Sequence, residues 1–210
     1  MKIIKMVTQM IVRQRIFLLA ATMFISGFVF AQKKDFYAES IKAYQKMYVD
    51  SHEVVKRKDR KQFRFFPINK AYNVSAYFER VFDTIGFTMP TSAGTVKYFY
   101  KYGRLDFIID GKEALLFVYQ GKDLMQTEIY KDYLFVPFTD ATTGNESYGS
   151  GRYLEFYKKD IVGDSLQIDF NKAYNPYCAY ATGYKCPIPP KENRLTLAIK
   201  AGEMNFGKSH

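Results

Sequence analysis

The chain has no tryptophan, only two histidines and only two cysteines in 210 residues. Each scarcity closes off a kind of chemistry. A zinc site wants four ligands, and His52 and His210 lie far apart in sequence, so neither a metal nor a cofactor is expected. A cysteine nucleophile would need a histidine partner, which neither cysteine has nearby. Internal repeats and low-complexity stretches are also lacking. Charged residues at 25% and hydrophobic residues at 48% are ordinary globular values, which argues against disorder.

Long hydrophobic runs are scarce as well. The longest, Ile16 to Phe30, has about 15 residues, short of the roughly 20 that span a bilayer. It follows Lys2, Lys5, Arg13 and Arg15 and ends in Val29-Phe30-Ala31-Gln32. A basic start, an apolar middle and small residues at the end describe an export signal cleaved after Ala31. Residues 1–31 are therefore read as signal and 32–210 as one β-rich domain, placed in the periplasm or outside the cell. The alternative is a membrane anchor formed by an uncleaved segment. Removing the signal lowers the net charge from +10 to +6, so the basic balance partly reflects targeting. In an oxidising compartment, Cys178 and Cys186 read as one short-loop disulfide, worth about 2.5 kcal/mol by loop-closure entropy.

Apolar positions Tyr37, Ile41, Tyr44, Tyr48 and Val55 recur at helical spacing, with Glu39, Lys42, Lys46 and Asp50 between them. This predicts an amphipathic helix over Asp35 to about Lys58, with a break near Ser51 where Asp50 and Glu53 resemble a capping box. The cluster Lys56-Arg57-Lys58, Arg60, Lys61 and Arg64 lies beside Phe63, Phe65 and Phe66. A solvated helix end explains it. Peripheral contact with anionic lipid or glycan is the alternative, and nucleic acid is not expected for an exported protein.

After Pro67 the period changes to two. Strand patterns run through Tyr72–Phe78, Thr95–Tyr102, Leu105–Ile109, Ala114–Gln120, Leu134–Phe138, Arg152–Tyr157, Leu166–Phe170 and Leu195–Lys200. Asp110-Gly111 between two of them is a strong hairpin signal. The fold class is therefore mainly β, an antiparallel sandwich or barrel with an N-terminal amphipathic helix. The face carrying Tyr98, Tyr100 and Tyr102 is a candidate cavity lining.

Polar residues concentrate after Tyr133. The loop Thr139 to Gly151 holds Asp140, Glu146 and Tyr148 among glycines. It contains no Gly-Lys-Ser/Thr and leads into a strand, so it is not a phosphate loop. Arg152 shares a strand face with Leu154 and Phe156, so it needs a carboxylate from Asp140 or Glu146. Asp169, Asn171 and Asn175 precede the cysteine loop, and Glu192 and Arg194 follow its prolines. If these loops meet at one end of the sheet, Asp140, Glu146, Tyr148, Arg152, Asp169, Asn171, Asn175, Glu192 and Arg194 form a candidate ligand site. Alternatively, the same groups hold a long proline-rich loop in place.

Four blocks resemble the bacterial and archaeal family known as domain of unknown function 1684: FRFFPIN (Phe63–Asn69), MPTSAG (Met89–Gly94), LFVPFTDATTGNESYGSGRYLE (Leu134–Glu155), and DFNKAYNPYCAY with CPIPPKENRLTLAIKAGE (Asp169–Glu203). The resemblance implies membership without an established activity, and puts Asp140, Gly144, Glu146, Tyr148, Gly151, Arg152, Asp169, Asn171, Asn175, Pro176, Cys178, Cys186, Pro187 and Asn193 in the family pattern. The functional expectation is an exported envelope protein that binds a small-molecule, glycan or lipid ligand at its polar loops. A carboxylate-dependent hydrolase without metal and a structural or interaction module are the alternatives. No pattern points to a particular oligomeric state.

Overall fold

The computed structural model describes residues 35–208, so the expected signal lies outside the described residues. The described residues from Tyr37 onward form one compact unit. Helix α1 (Phe36–Ser51) buries Ile41 and keeps Tyr44 and Tyr48 half-buried, as the helical spacing predicts. It stops at the expected break. The Arg60 guanidinium reaches back to the carbonyls of Asp50 and His52, the latter at 3.0 Å, and so caps the helix with positive charge. A 3-10 turn, Arg57–Gln62, follows in place of a second α-helix, and Lys56, Arg57 and Lys58 are exposed.

The strands are β1 (Asn73–Arg80), β2 (Phe87–Pro90), β3 (Val96–Ile109), β4 (Lys112–Gly121), β5 (Tyr133–Phe138), β6 (Arg152–Tyr157), β7 (Ile161–Val162) and β8 (Ser165–Asp169). A short helix α2 (Lys122–Met125) follows β4. All eight strands join one antiparallel sheet in the order β6-β5-β4-β3-β1-β8-β7, with β2 added beside β3. The expected mainly β fold with a leading helix is present. Its form is one continuous sheet whose strands β6 and β8 feed the same core, so the sheet curls on itself with β6 and β7 as its edges.

Asp110 and Gly111 turn the β3–β4 hairpin with φ of 52° and 69°, the positive values that a two-residue hairpin loop demands. β3 is one strand where the sequence suggested two. Its register shifts between Lys101 and Gly103, and this bulge reverses which residues face which side. Upstream, Phe99 enters an outer cluster with Met89, Tyr119, Phe135 and Tyr153; downstream, Leu105, Phe107 and Ile109 enter the main core. Gly103 is required there, because a Cβ would come within 2.2 Å of the Phe78 ring. Of the expected tyrosine face, Tyr98 and Tyr100 meet edge to face at 5.6 Å, while Tyr102 packs on the main core.

Leu195–Lys200 is not a strand. Side chains satisfy much of its backbone instead: Ile199 N–H donates to Asp140, and Arg152 donates to the carbonyls of Ile199 and Ala201. Asn193 performs a related task. Pro137 in β5 has no N–H, so the ladder toward β4 lacks a donor. The Asn193 amide donates to the carbonyls of Phe117 (2.9 Å) and Pro137 (2.8 Å) and accepts from Phe117 N–H (2.7 Å), bridging the two strands.

Candidate functional site

Sequence-selected polar residues separate into distinct networks. Arg152 is 1% exposed and pairs with Asp140 at 3.2 Å, with Thr142, Thr143 and Ile199 completing the carboxylate's partners. Burial pushes the Arg152 pKa down, opposed by Asp140. This pair is sealed inside the protein. Glu146 lies at the surface with Lys200 at 3.0 Å. Tyr148 donates to the Cys178 carbonyl at 3.2 Å. Asp169 accepts from Tyr37 (3.0 Å) and from the backbone and side chain of Asn171, which also reaches Asn69. Asn175 presents its N–H to Glu203 at 2.9 Å. Glu192 binds Tyr119 (2.6 Å) and Lys101 (2.7 Å), and with exposed Arg194 and Glu113 it lines a separate groove of about 760 Å³. Thus Asp140 meets Arg152 and Asp169 meets Asn171, but the nine do not converge on one cleft.

A different group does converge. Tyr37, Tyr44 and Tyr48 extend from one side of α1. Their hydroxyls reach Asp169, the Lys172 carbonyl (3.4 Å), and Glu203 (3.2 Å) with Tyr180 (2.9 Å), respectively. Opposite stands β6, whose outward positions Tyr153 and Glu155 follow from its alternation. Between them lies the segment from Tyr174 to Pro187, closed by a Cys178–Cys186 disulfide, as the spacing predicted. Ser92 in the β2–β3 turn holds this loop through Cys178 Sγ, the Tyr184 carbonyl and Cys186 N–H.

These walls enclose a cleft of about 680 Å³ lined by Tyr44, Tyr48, His52, Tyr153, Glu155, Tyr174, Tyr177 and Tyr184 among others. Glu155 is exposed, and its Oε1 accepts from Tyr133 (2.7 Å) and Tyr174, leaving Oε2 without a partner among the described residues. Burial, reinforced by this carboxylate, raises the pKa of both phenols, so they act as neutral donors. His52 is 5% exposed; its Nδ1 accepts from Val55 N–H at 3.1 Å, which puts the proton on Nε2, itself buried and without an acceptor among the described residues. Burial and then Arg60 push its pKa down to about 4, so the ring is neutral near pH 7. Behind Tyr48, fully buried Glu203 is raised to about 7 by desolvation despite donors from Tyr180, Tyr48 and Asn175.

The site therefore offers aromatic walls and one open acceptor, with the unpartnered His52 Nε2 buried behind the wall. No group of His, Cys, Asp and Glu among the described residues has metal-binding geometry, and no described helix is long and apolar enough to cross a membrane. Sequence reasoning missed this cleft because the α1 tyrosines read as packing residues. A buried tyrosine needs a partner for its hydroxyl, and three of them, Tyr37, Tyr44 and Tyr48, ahead of one histidine were the available signal.

Residues 58–204 match the family described as "Protein of unknown function (DUF1684)". The chain belongs to the DUF1684 family. The match contains Glu155, Tyr174 and the disulfide loop but starts after α1 and His52, so the helical wall of the cleft lies outside the matched region. This DUF1684 chain is also similar to the uncharacterized protein from gene locus rrnAC0354 of Haloarcula marismortui, solved in solution by NMR. The two share 28% identity over 80% of this chain and 94% of the other, with a TM-score of 0.60. No curated protein matches it.

Proposed function

We propose that this DUF1684 protein is an exported, envelope-located binding protein whose tyrosine cleft takes a hydroxylated ring, such as one sugar residue of a glycan. The observation that carries this reading is Glu155 Oε2, an acceptor with no partner among the described residues, on the lining of an aromatic cleft. Tyrosine faces suit the apolar face of a sugar ring, and a few fixed polar groups set its orientation. The signal pattern at residues 1–31 and a disulfide support export.

The test is calorimetric titration of the chain from Gln32 with methyl glycosides and oligosaccharides. Binding at one site per chain is expected. Glu155→Gln weakens it about tenfold, as expected for loss of a charge-assisted hydrogen bond. Tyr174→Ala should abolish it while leaving the circular dichroism spectrum unchanged. Absence of binding by any glycoside, or equal binding by folded Tyr174→Ala, overturns the reading.

A further inference from the structure

A second cavity of about 260 Å³ opens beside the cleft and shares Lys97, Tyr153, Tyr174 and Pro187 with it. Its own lining differs in character. Phe99 and Phe135 come from the outer cluster, Tyr98 from the β3 segment ahead of the bulge, and Leu124 from α2. Gly121 contributes no side chain. The cavity's polar groups, Lys97, Lys122 and Asp123, are all exposed residues. Thus one continuous depression presents hydrogen-bonding groups at one end and an apolar recess at the other.

Resting on the reading of the cleft above, we infer that the recess is a second subsite for an apolar group attached to the ring, so that the ligand is an alkyl-, acyl- or aryl-substituted sugar. An unsubstituted glycan would leave the half-buried apolar lining of Leu124 and of the Tyr98 and Tyr133 rings, set over buried Phe99 and Phe135, wet. A substituted one removes that surface from water without disturbing Glu155 or His52. Tyr174 belongs to both cavities and marks where ring and substituent join.

The experiment compares methyl and octyl glycosides of glucose, galactose, mannose and N-acetylglucosamine, all below micelle formation, on the chain from Gln32. The octyl form of a recognised sugar should bind at least roughly tenfold tighter than its methyl form, since each buried methylene is worth about fourfold. Gly121→Leu fills the recess from a position where an added Cβ makes only ordinary contacts, 3.4 Å from Phe99 and 3.5 Å from Leu124. It should erase the octyl advantage and leave methyl glycoside affinity unchanged. Equal affinity of methyl and octyl forms in the wild-type chain overturns the second subsite while leaving the sugar site standing. An octyl advantage that persists in folded Gly121→Leu overturns it too. If no glycoside of either kind binds, the cleft reading and the inference fail together.

Discussion

Asp140 and Arg152 show how charged residues gathered in one stretch of sequence can serve architecture alone. Their pair is buried, and Arg152 adds carbonyl partners from the C-terminal segment that otherwise lacks a ladder. Removing one partner leaves the other charge unsolvated, so Asp140→Ala or Arg152→Ala should each cost about 3–5 kcal/mol in urea unfolding. A loss below about 1 kcal/mol would refute the structural role. Glu203 supports a prediction in pH. Its folded pKa of about 7 lies above its ordinary value of 4.5, so its protonated form is favoured by folding. The stability it contributes is complete below pH 4.5 and is lost as pH rises through 7, a change of about 3 kcal/mol. His52 has the opposite sign: with a folded pKa near 4 against 6.5, its contribution is present above pH 6.5 and lost on acidification. The wild-type stability between pH 5 and 7 should therefore vary little. Glu203→Gln removes one slope, and its denaturant midpoint should fall steadily as pH decreases from 7 to 5. A flat profile in that variant would contradict the assignment.

At the level of elements, legibility followed locality. The Asp110-Gly111 hairpin, the alternation in β6 and the helical stripe of α1 are carried by neighbouring residues, and each was readable. The β3 bulge depends on Phe78 occupying the space above Gly103, a contact between different strands, so one strand read as two. Leu195–Lys200 has a strand's alternation, but Asp140 and Arg152 satisfy its backbone from a distance. The two-residue β7 is too short to show a period. Candidate-site reasoning found the Asp140–Arg152 partnership and the disulfide, both near in sequence, and missed the cleft, whose walls come from α1, β6 and the loop after Tyr174. That loop yields a prediction of its own. Replacing Cys178 and Cys186 with serine frees a short loop and should lower stability by about 2.5 kcal/mol. Because Tyr177 and Tyr184 line the cleft from the same loop, ligand affinity should fall as well, while the β-sheet signal in circular dichroism persists. Unchanged affinity in the serine variant would mean that Ser92 and Tyr148 hold the wall without the disulfide.

Across the whole molecule, α1 acts as a clasp whose tyrosines cross from the helix to distant loops. Tyr37 reaches Asp169, Tyr44 reaches Lys172, and Tyr48 reaches Tyr180 and Glu203. Those contacts also form one wall of the proposed binding site, which ties processing to function. Cleavage after Ala31 would leave Gln32 at the new terminus, ahead of the first helical residue, Phe36, and would preserve every clasp residue. The intact mass of protein recovered from the envelope should therefore correspond to a chain beginning at Gln32; the full-length mass would point instead to the anchored alternative. Deleting residues 32–51 should have two effects that a simple shortening would not. Ligand binding should be lost, because Tyr44 and Tyr48 leave the cleft. The raised pKa of Glu203 should also relax toward its ordinary value, because the carboxylate loses part of the cover that desolvates it, an effect that outweighs loss of the Tyr48 hydrogen bond. The truncated chain should then show the same pH profile of its denaturant midpoint with or without Glu203→Gln, and retention of a Glu203-dependent difference would show that the helix is not what buries it.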